Sequence, residues 1–290
     1  MTATEQAVEQ AATVGEGRYV RANGTDIYYV EAGQGEPLLL LHGALVSTSP
    51  VWDGSPVAWV SHLATFAQHF RVIAPDTRGH GRTVNPERGP ISYQQLADDV
   101  AALIGALGLG RSMLCGFSDG GTAATVVGLR HPGLVRAIVN DAGYDLFNPQ
   151  SRTFAMGRQV FGGSPTATQA DPAAFEQAFG ASDEMRAVLA LTKLDHDSVQ
   201  GAEYWKTLLA EFFDRATQTP GYTFDDLPAL AAPTLMLAGD RDFLCSPEEA
   251  AIAYRILPAG ELAIVPGTGH WISPLKVQLA IDFLRRHSAP

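Results

Sequence analysis

A hydroxyl, a carboxylate and an imidazole stand at Ser118, Asp242 and His270 of this 290-residue chain. A neutral serine hydroxyl is a poor nucleophile and needs a base to take its proton. An imidazole can take it, provided a carboxylate fixes its tautomer and stabilises the imidazolium that forms. Together the three make a candidate set for attack on a carbonyl carbon. Ser118 sits in Gly116-Phe117-Ser118-Asp119-Gly120, which fits G-x-S-x-G. That pattern is short, and its flanks give it weight. Residues 111–115 read as a buried strand. Residues 122–130, rich in small side chains and stopped by His131-Pro132, read as a helix. Strand, sharp turn and helix are the setting of a nucleophile elbow, where the serine is held in a strained backbone. Glycine on either side leaves room for the adjoining strand and helix.

The rest of the chain has to supply elements that bring the three together. Asn23-Gly24 between residues 18–22 and 26–31 signals a hairpin. Leu38, Leu39, Leu40 and Leu41 form a continuous apolar run, the mark of a strand buried on both faces. Residues 56–70 read as a helix with Trp59, Leu63 and Phe66 on one face, and residues 71–75 as a second central strand. A helix capped by Ser92 covers 92–107, and a strand covers 134–140. After residue 232 come a strand at 233–238, a helix at 247–256, a strand at 261–265 and a closing helix at 272–286. This alternation predicts an α/β fold with a doubly wound, mostly parallel, eight-stranded sheet. It pauses between residues 144 and 226, where 172–179, 182–194 and 202–216 read as helical and aromatics recur, among them Phe154, Phe161, Phe175, Phe179, Trp205, Phe212 and Phe213. The expected organisation is a flexible segment at 1–17, a core at 18–143 and 227–290, and an inserted helical cap, or lid, at 144–226.

Ligands of such sheets bind outside the carboxyl ends of the strands. Here those ends carry His42-Gly43-Ala44, Asp76, Ser118, Asp141, Asp242 and His270. His270, on a glycine-rich loop, is the expected base for Ser118. Asp242 is the expected acid, with Asp240 and Asp141 as rivals. A tetrahedral intermediate needs donors for its oxyanion; the expected ones are the N–H groups of Asp119 and Ala44, with Leu45 as the alternative to Ala44. His42 is expected to brace the oxyanion loop, Arg78 and His80 to organise their own loop, and His196 to be a polar surface residue of the lid. Leu45, Val46, Trp52, Phe117, Tyr144, Phe147 and Trp271 are the expected substrate-lining residues, by proximity to the site.

Composition narrows the partners. A net charge of −11 argues against a nucleic-acid binder and against attachment to anionic membranes. Cys115 and Cys245 follow apolar stretches without any C-x-x-C or His/Cys cluster, so no metal site is expected and both read as buried. The first residues lack the basic and apolar regions of a signal peptide, and no apolar run reaches transmembrane length. A cytoplasmic protein with a small-molecule substrate is expected, and nothing indicates an oligomeric state.

The chain resembles the α/β-hydrolase superfamily from about Arg18 onward. The matching pieces are Leu41-His42-Gly43, Asp76-Thr77-Arg78-Gly79-His80-Gly81, the serine motif with Gly121, residues 233–242, and Gly267-Thr268-Gly269-His270. It looks most like the serine carboxylesterase and cofactor-free haloperoxidase branch. The resemblance implies a Ser-His-Asp triad in the order Ser118, Asp242, His270, a cap after the sixth strand, and no cofactor. Relatives that open haloalkanes or epoxides use an aspartate where Ser118 stands, so the resemblance excludes those reactions. One departure is the loop at residues 44–56, longer and more polar than usual. The implied activity is hydrolysis of a carboxylic ester or lactone with a bulky apolar group, such as an aromatic diacid monoester or a macrolactone, through an acyl-enzyme. Perhydrolysis, C–C bond hydrolysis and cyanohydrin cleavage fit the same residues, and a ligand-sensing binding protein is the alternative of another class.

Overall fold

The computed structural model describes residues 17–143, 150–217 and 221–288. Strands β1 (Arg18–Ala22) and β2 (Thr25–Ala32) form an antiparallel hairpin. Asn23 and Gly24 between them both take positive φ, 43° and 77°, as a two-residue turn of this hand requires. The remaining strands are β3 (Pro37–Leu41), β4 (Arg71–Pro75), β5 (Ser112–Phe117), β6 (Val135–Asp141), β7 (Thr234–Gly239) and β8 (Gly260–Val265). They join the hairpin in one eight-stranded sheet of order β1-β2-β4-β3-β5-β6-β7-β8. Pairing is antiparallel up to β2·β4 and parallel from there on. The doubly wound, mostly parallel sheet expected from the sequence is the one observed.

Alternate residues of the central strands feed two different cores, because successive side chains point to opposite faces. Leu38, Leu40, Val72, Met113, Cys115 and Val139 pack on one face. Leu39, Leu41, Ile73, Leu114 and Ile138 pack on the other. The second face is covered by α2 (Tyr93–Ala106), α3 (Asp119–Arg130) and α8 (Pro247–Ile256), and the first by α9 (Pro274–Arg286) and the short α1 (Leu63–Ala67). Between β6 and β7 the chain inserts α4 (Arg152–Gly162), α5 (Pro172–Phe179), α6 (Asp183–Gln200) and α7 (Tyr204–Thr217). Phe161, Phe175, Phe179, Trp205, Phe212 and Phe213 of this insert belong to the first core, so insert and sheet share one apolar body.

Three elements differ from the sequence expectation. Residues 56–70 open as a tight 3-10 turn, Trp59–His62, before α1; the apolar spacing is right, but the Trp59 indole donates to the Leu41 carbonyl at 3.0 Å and sets the turn against β3. Helix α4 carries its own cap, the Ser151 hydroxyl accepting from Phe154 N–H, yet its mixed composition gave no clear apolar stripe. Helix α6 runs on past residue 194 to Gln200; its buried stripe is Val188, Thr192, Asp195 and His196, three of the four polar, so apolar spacing does not mark its second half. Tyr144, Phe147 and the expected flexible segment, apart from Gly17, lie outside the described residues.

Candidate active site

Ser118 joins β5 to α3 with φ 53° and ψ −121°. A non-glycine residue there is strained and persists only because its surroundings over-determine it. Its N–H donates to the Asp141 carbonyl at 2.7 Å, and its carbonyl receives Gly121 N–H at 2.8 Å. The flanking glycines are needed for contact: a Cβ on Gly116 would strike the Gly120 carbonyl, and one on Gly120 the carbonyls of Leu41 and His42. So the G-x-S-x-G spacing reflects how closely α3 returns to β3 and β5.

His270, 2% exposed on the loop after β8, places Nε2 3.1 Å from Ser118 Oγ. Its Nδ1 lies 3.0 and 3.1 Å from the two oxygens of Asp242. Asp242 Oδ1 also accepts the N–H groups of Leu244 (2.9 Å) and Cys245 (2.8 Å). Burial works to raise the Asp242 carboxyl pKa; the His270 ring and the Cys245 N–H outweigh it and hold the pKa below the ordinary value. Such a chain can carry a proton from hydroxyl to ring. Of the two rival carboxylates, Asp240 lies near the exposed Arg241, 3.6 Å away. Asp141, fully buried, pairs with Lys276 at 2.8 Å, and burial pushes its carboxyl pKa up.

His42 braces the loop that follows β3. Thr77 N–H donates to its Nε2 at 3.0 Å, so that nitrogen carries no proton; Nδ1 then carries it and donates to the Gly43 carbonyl at 2.8 Å. Burial lowers the His42 pKa, in keeping with this neutral tautomer. Asp76 ties the same loop down, accepting from Thr48 N–H and Oγ1 and from Arg82 N–H at 2.6–2.8 Å. Arg78 pairs with Asp99 of α2. Leu45 takes φ 62°, and its carbonyl receives the Thr192 hydroxyl at 3.2 Å. Helix α6 is thus bolted to the loop, and Asp195 completes the attachment by accepting from Ser47 Oγ and Trp52 Nε1.

Two sequence expectations are corrected here. Trp52 does not line the site; it is fully buried with its indole on Asp195. His196 is not a surface residue; it is fully buried, with Nδ1 2.9 Å from the Thr192 carbonyl and its ring edge-on to His80. Both follow from the true length and phase of α6, which turns Leu194 outward and His196 inward. Asp119 also has a role beyond its main chain. Its carboxylate receives Arg215 of α7 (2.6 and 3.2 Å) and the Tyr93 hydroxyl (2.6 Å), linking the residue after Ser118 to the insert. The signal for Arg215 was a lone cation on the apolar face of Leu208, Leu209 and Phe212.

Ser118 and His270 open onto a cleft of about 490 Å3, part of it open to solvent. Of the expected lining residues, Leu45, Val46, Phe117 and Trp271 are there, together with Ala44. The roof is Phe161, Phe179, Val188, Thr192 and Phe212 of the insert, and Val57 and Leu244 complete the wall. The sequence reading missed Val57 and Leu244, which come from loops of the core, and Val188 and Thr192, which reach the site only through the packing of the insert.

A sequence model of the alpha/beta hydrolase family matches residues 38–276. The chain belongs to that family. This alpha/beta hydrolase is 27% identical over 264 residues to a 2-(acetamidomethylene)succinate hydrolase of Mesorhizobium japonicum, covering 87% of either chain. It is 27% identical over 262 residues to a non-heme haloperoxidase of Rhodococcus erythropolis, covering 86% of this chain and 90% of that one. A solved membrane phospholipase A superposes with TM-score 0.74 at 21% identity, over 99% of this chain and 91% of that one, a likeness of fold alone. These relatives act under different names on one architecture, so the bond cleaved has to be argued from the site. Among the described residues no helix is long and apolar enough to cross a membrane.

Proposed function

We propose that this alpha/beta hydrolase cleaves uncharged carboxylic esters or lactones with a bulky apolar group, through an acyl-enzyme on Ser118. The observation that carries the reading is the hydrogen-bonded run Ser118–His270–Asp242 at the floor of an apolar cleft. Ser118 Oγ attacks the carbonyl carbon while His270 takes its proton; His270 then returns the proton to the leaving alcohol. Asp242 holds the ring and stabilises the imidazolium. The N–H of Asp119, one of the unpaired first donors of α3, and that of Ala44 receive the oxyanion. Water, deprotonated by His270, attacks the acyl-enzyme and releases the acid.

The cleft wall supports the choice of an uncharged substrate. No Lys or Arg side chain lines it among the described residues. Arg215 is held by Asp119 and Lys276 by Asp141. The undescribed stretches 144–149 and 218–220 contain no Lys, Arg or His. A carboxylate on the substrate would be desolvated here without a partner, which is costly. An aromatic diacid monoester, one substrate considered from the sequence, therefore fits less well than a neutral ester or lactone.

Phenyl pentanoate and monophenyl glutarate differ mainly in a terminal carboxylate and test this pair of statements. The neutral ester should show kcat/KM about 100-fold higher, or about 2.7 kcal/mol in transition-state stabilisation. Equal values would remove the charge selectivity, and turnover of the neutral ester by Ser118→Ala at the wild-type rate would remove the mechanism.

A further inference from the structure

The edge of the sheet that holds Ser118 and His270 contains a second set of buried charges that the proposed reaction does not use. Asp141 ends β6 beside Phe117 in register, and Lys276 lies in the first turn of α9; both side chains are fully buried. Their separation is 2.8 Å, from Lys276 Nζ to Asp141 Oδ1. The same ammonium donates to the main-chain carbonyl of His270 at 3.1 Å. On the other side, the Asp141 carbonyl accepts the Ser118 N–H at 2.7 Å. These contacts close a ring: Ser118 main chain, Asp141, Lys276, His270 main chain, and back through Nε2 to Ser118 Oγ at 3.1 Å. Asp242 is not part of it.

The ring is built against local preference. A cation in the first turn of a helix faces the positive end of the helix dipole, which disfavours it. Burying an ammonium adds desolvation. Among the described residues no donor besides the Lys276 ammonium reaches the Asp141 carboxylate, so its compensation is that one ion pair. The next residue, Ala142, is forced to φ 58°, and it is pinned there by its N–H on the Leu237 carbonyl and by the Cys245 thiol on its own carbonyl, each at 3.0 Å. Several unfavourable features meet at one place, and their common result is a fixed distance between two backbones.

We propose that Asp141 and Lys276 are positioning residues that set the approach of His270 to Ser118 from the backbone side, independently of Asp242. The proposal rests on Ser118 and His270 being nucleophile and base as read above. It also makes the pair an electrostatic balance. Around the His270 ring stand Asp242 from the loop after β7, Asp141 from β6 and Lys276 from α9, with the thiols of Cys115 on β5 and Cys245 close to the carboxylates. With both charges of the pair present, their fields at the ring oppose each other.

Near-isosteric variants separate the two roles, with thermal unfolding as the check that each variant is folded. Lys276→Gln keeps a donor for the His270 carbonyl and removes the cation, which favours the imidazolium; the acid limb of kcat/KM should move up by about one pH unit. Asp141→Asn leaves the cation and removes the anion, so the limb should move down by a similar amount. The double variant removes both charges and should return the limb to its wild-type position. Lys276→Met, which also loses the donor, should lower kcat about 10- to 100-fold at nearly constant KM, more than Lys276→Gln does. A purely structural pair would lower the unfolding temperature and leave both limbs in place, and that result overturns the proposal. Loss of activity in all variants with Ser118→Ala still active would instead overturn the reading it rests on.

Discussion

Asp141 and Asp242 are two buried carboxylates at the ends of neighbouring strands, and the structure gives them opposite surroundings. Asp242 accepts two backbone N–H groups and the His270 ring, and its carboxyl is held below the ordinary range despite burial. Asp141 has one ammonium and no main-chain donor among the described residues, and burial raises its carboxyl. The difference shows what selects a partner for a histidine. Nearness to the site is shared by both residues; the number of donors that keep the charge in place is not. The ring goes to the carboxylate whose ionised form is already solvated by the main chain.

That comparison can be broken in three ways. The largest effect is expected from Asp242→Asn, which leaves the geometry but presents the wrong hydrogen-bonding partner to Nδ1; kcat should fall about 10,000-fold. Asp141→Asn, by contrast, should cost about 100-fold at most, because the ring keeps its partner. If the two variants lost activity equally, the division between them would fail. The smallest effect concerns stability. A carboxyl whose folded pKa is lowered contributes stability above the ordinary value near pH 4, and the contribution is lost as pH falls through the lowered value. A carboxyl whose folded pKa is raised contributes stability while protonated, and loses it as pH rises through the raised value. Thermal unfolding from pH 3 to 6 should therefore show Asp242→Asn flattening the acid loss of stability. Asp141→Asn should flatten the opposite trend, with shifts of a few degrees.

Much of the fold was legible because its signals are local. Apolar strands, capped helices and the Asn23-Gly24 turn each announce themselves within a few residues, and strand alternation then orders the sheet. Their places after strand ends put Ser118, Asp242 and His270 at one edge of the sheet, where they stand within hydrogen-bond distance. The sequence could also favour Asp242 over Asp141, yet not say why, since the donors to Asp242 and the Lys276 beside Asp141 depend on tertiary packing. The same limit explains Asp119. Its side chain looked incidental until α7 brought Arg215 onto it. Trp52 and His196 depart from expectation for a related reason: the inner face of α6 is mostly polar, so the sequence shows neither that His196 turns inward nor that Asp195 takes the Trp52 indole away from the site. The cleft roof was foreshadowed only as a row of aromatics, of which Phe161, Phe179 and Phe212 reach the cleft and Phe175, Trp205 and Phe213 pack behind them.

Intact-protein mass spectrometry after treatment with a fluorophosphonate probe tests the central claim most directly, because only an activated nucleophile reacts at a useful rate. One adduct per chain is expected, localised after digestion to the peptide containing Ser118, absent in Ser118→Ala and strongly slowed in Asp242→Asn. An adduct on another residue, or a folded wild-type protein that takes up no probe, would contradict it.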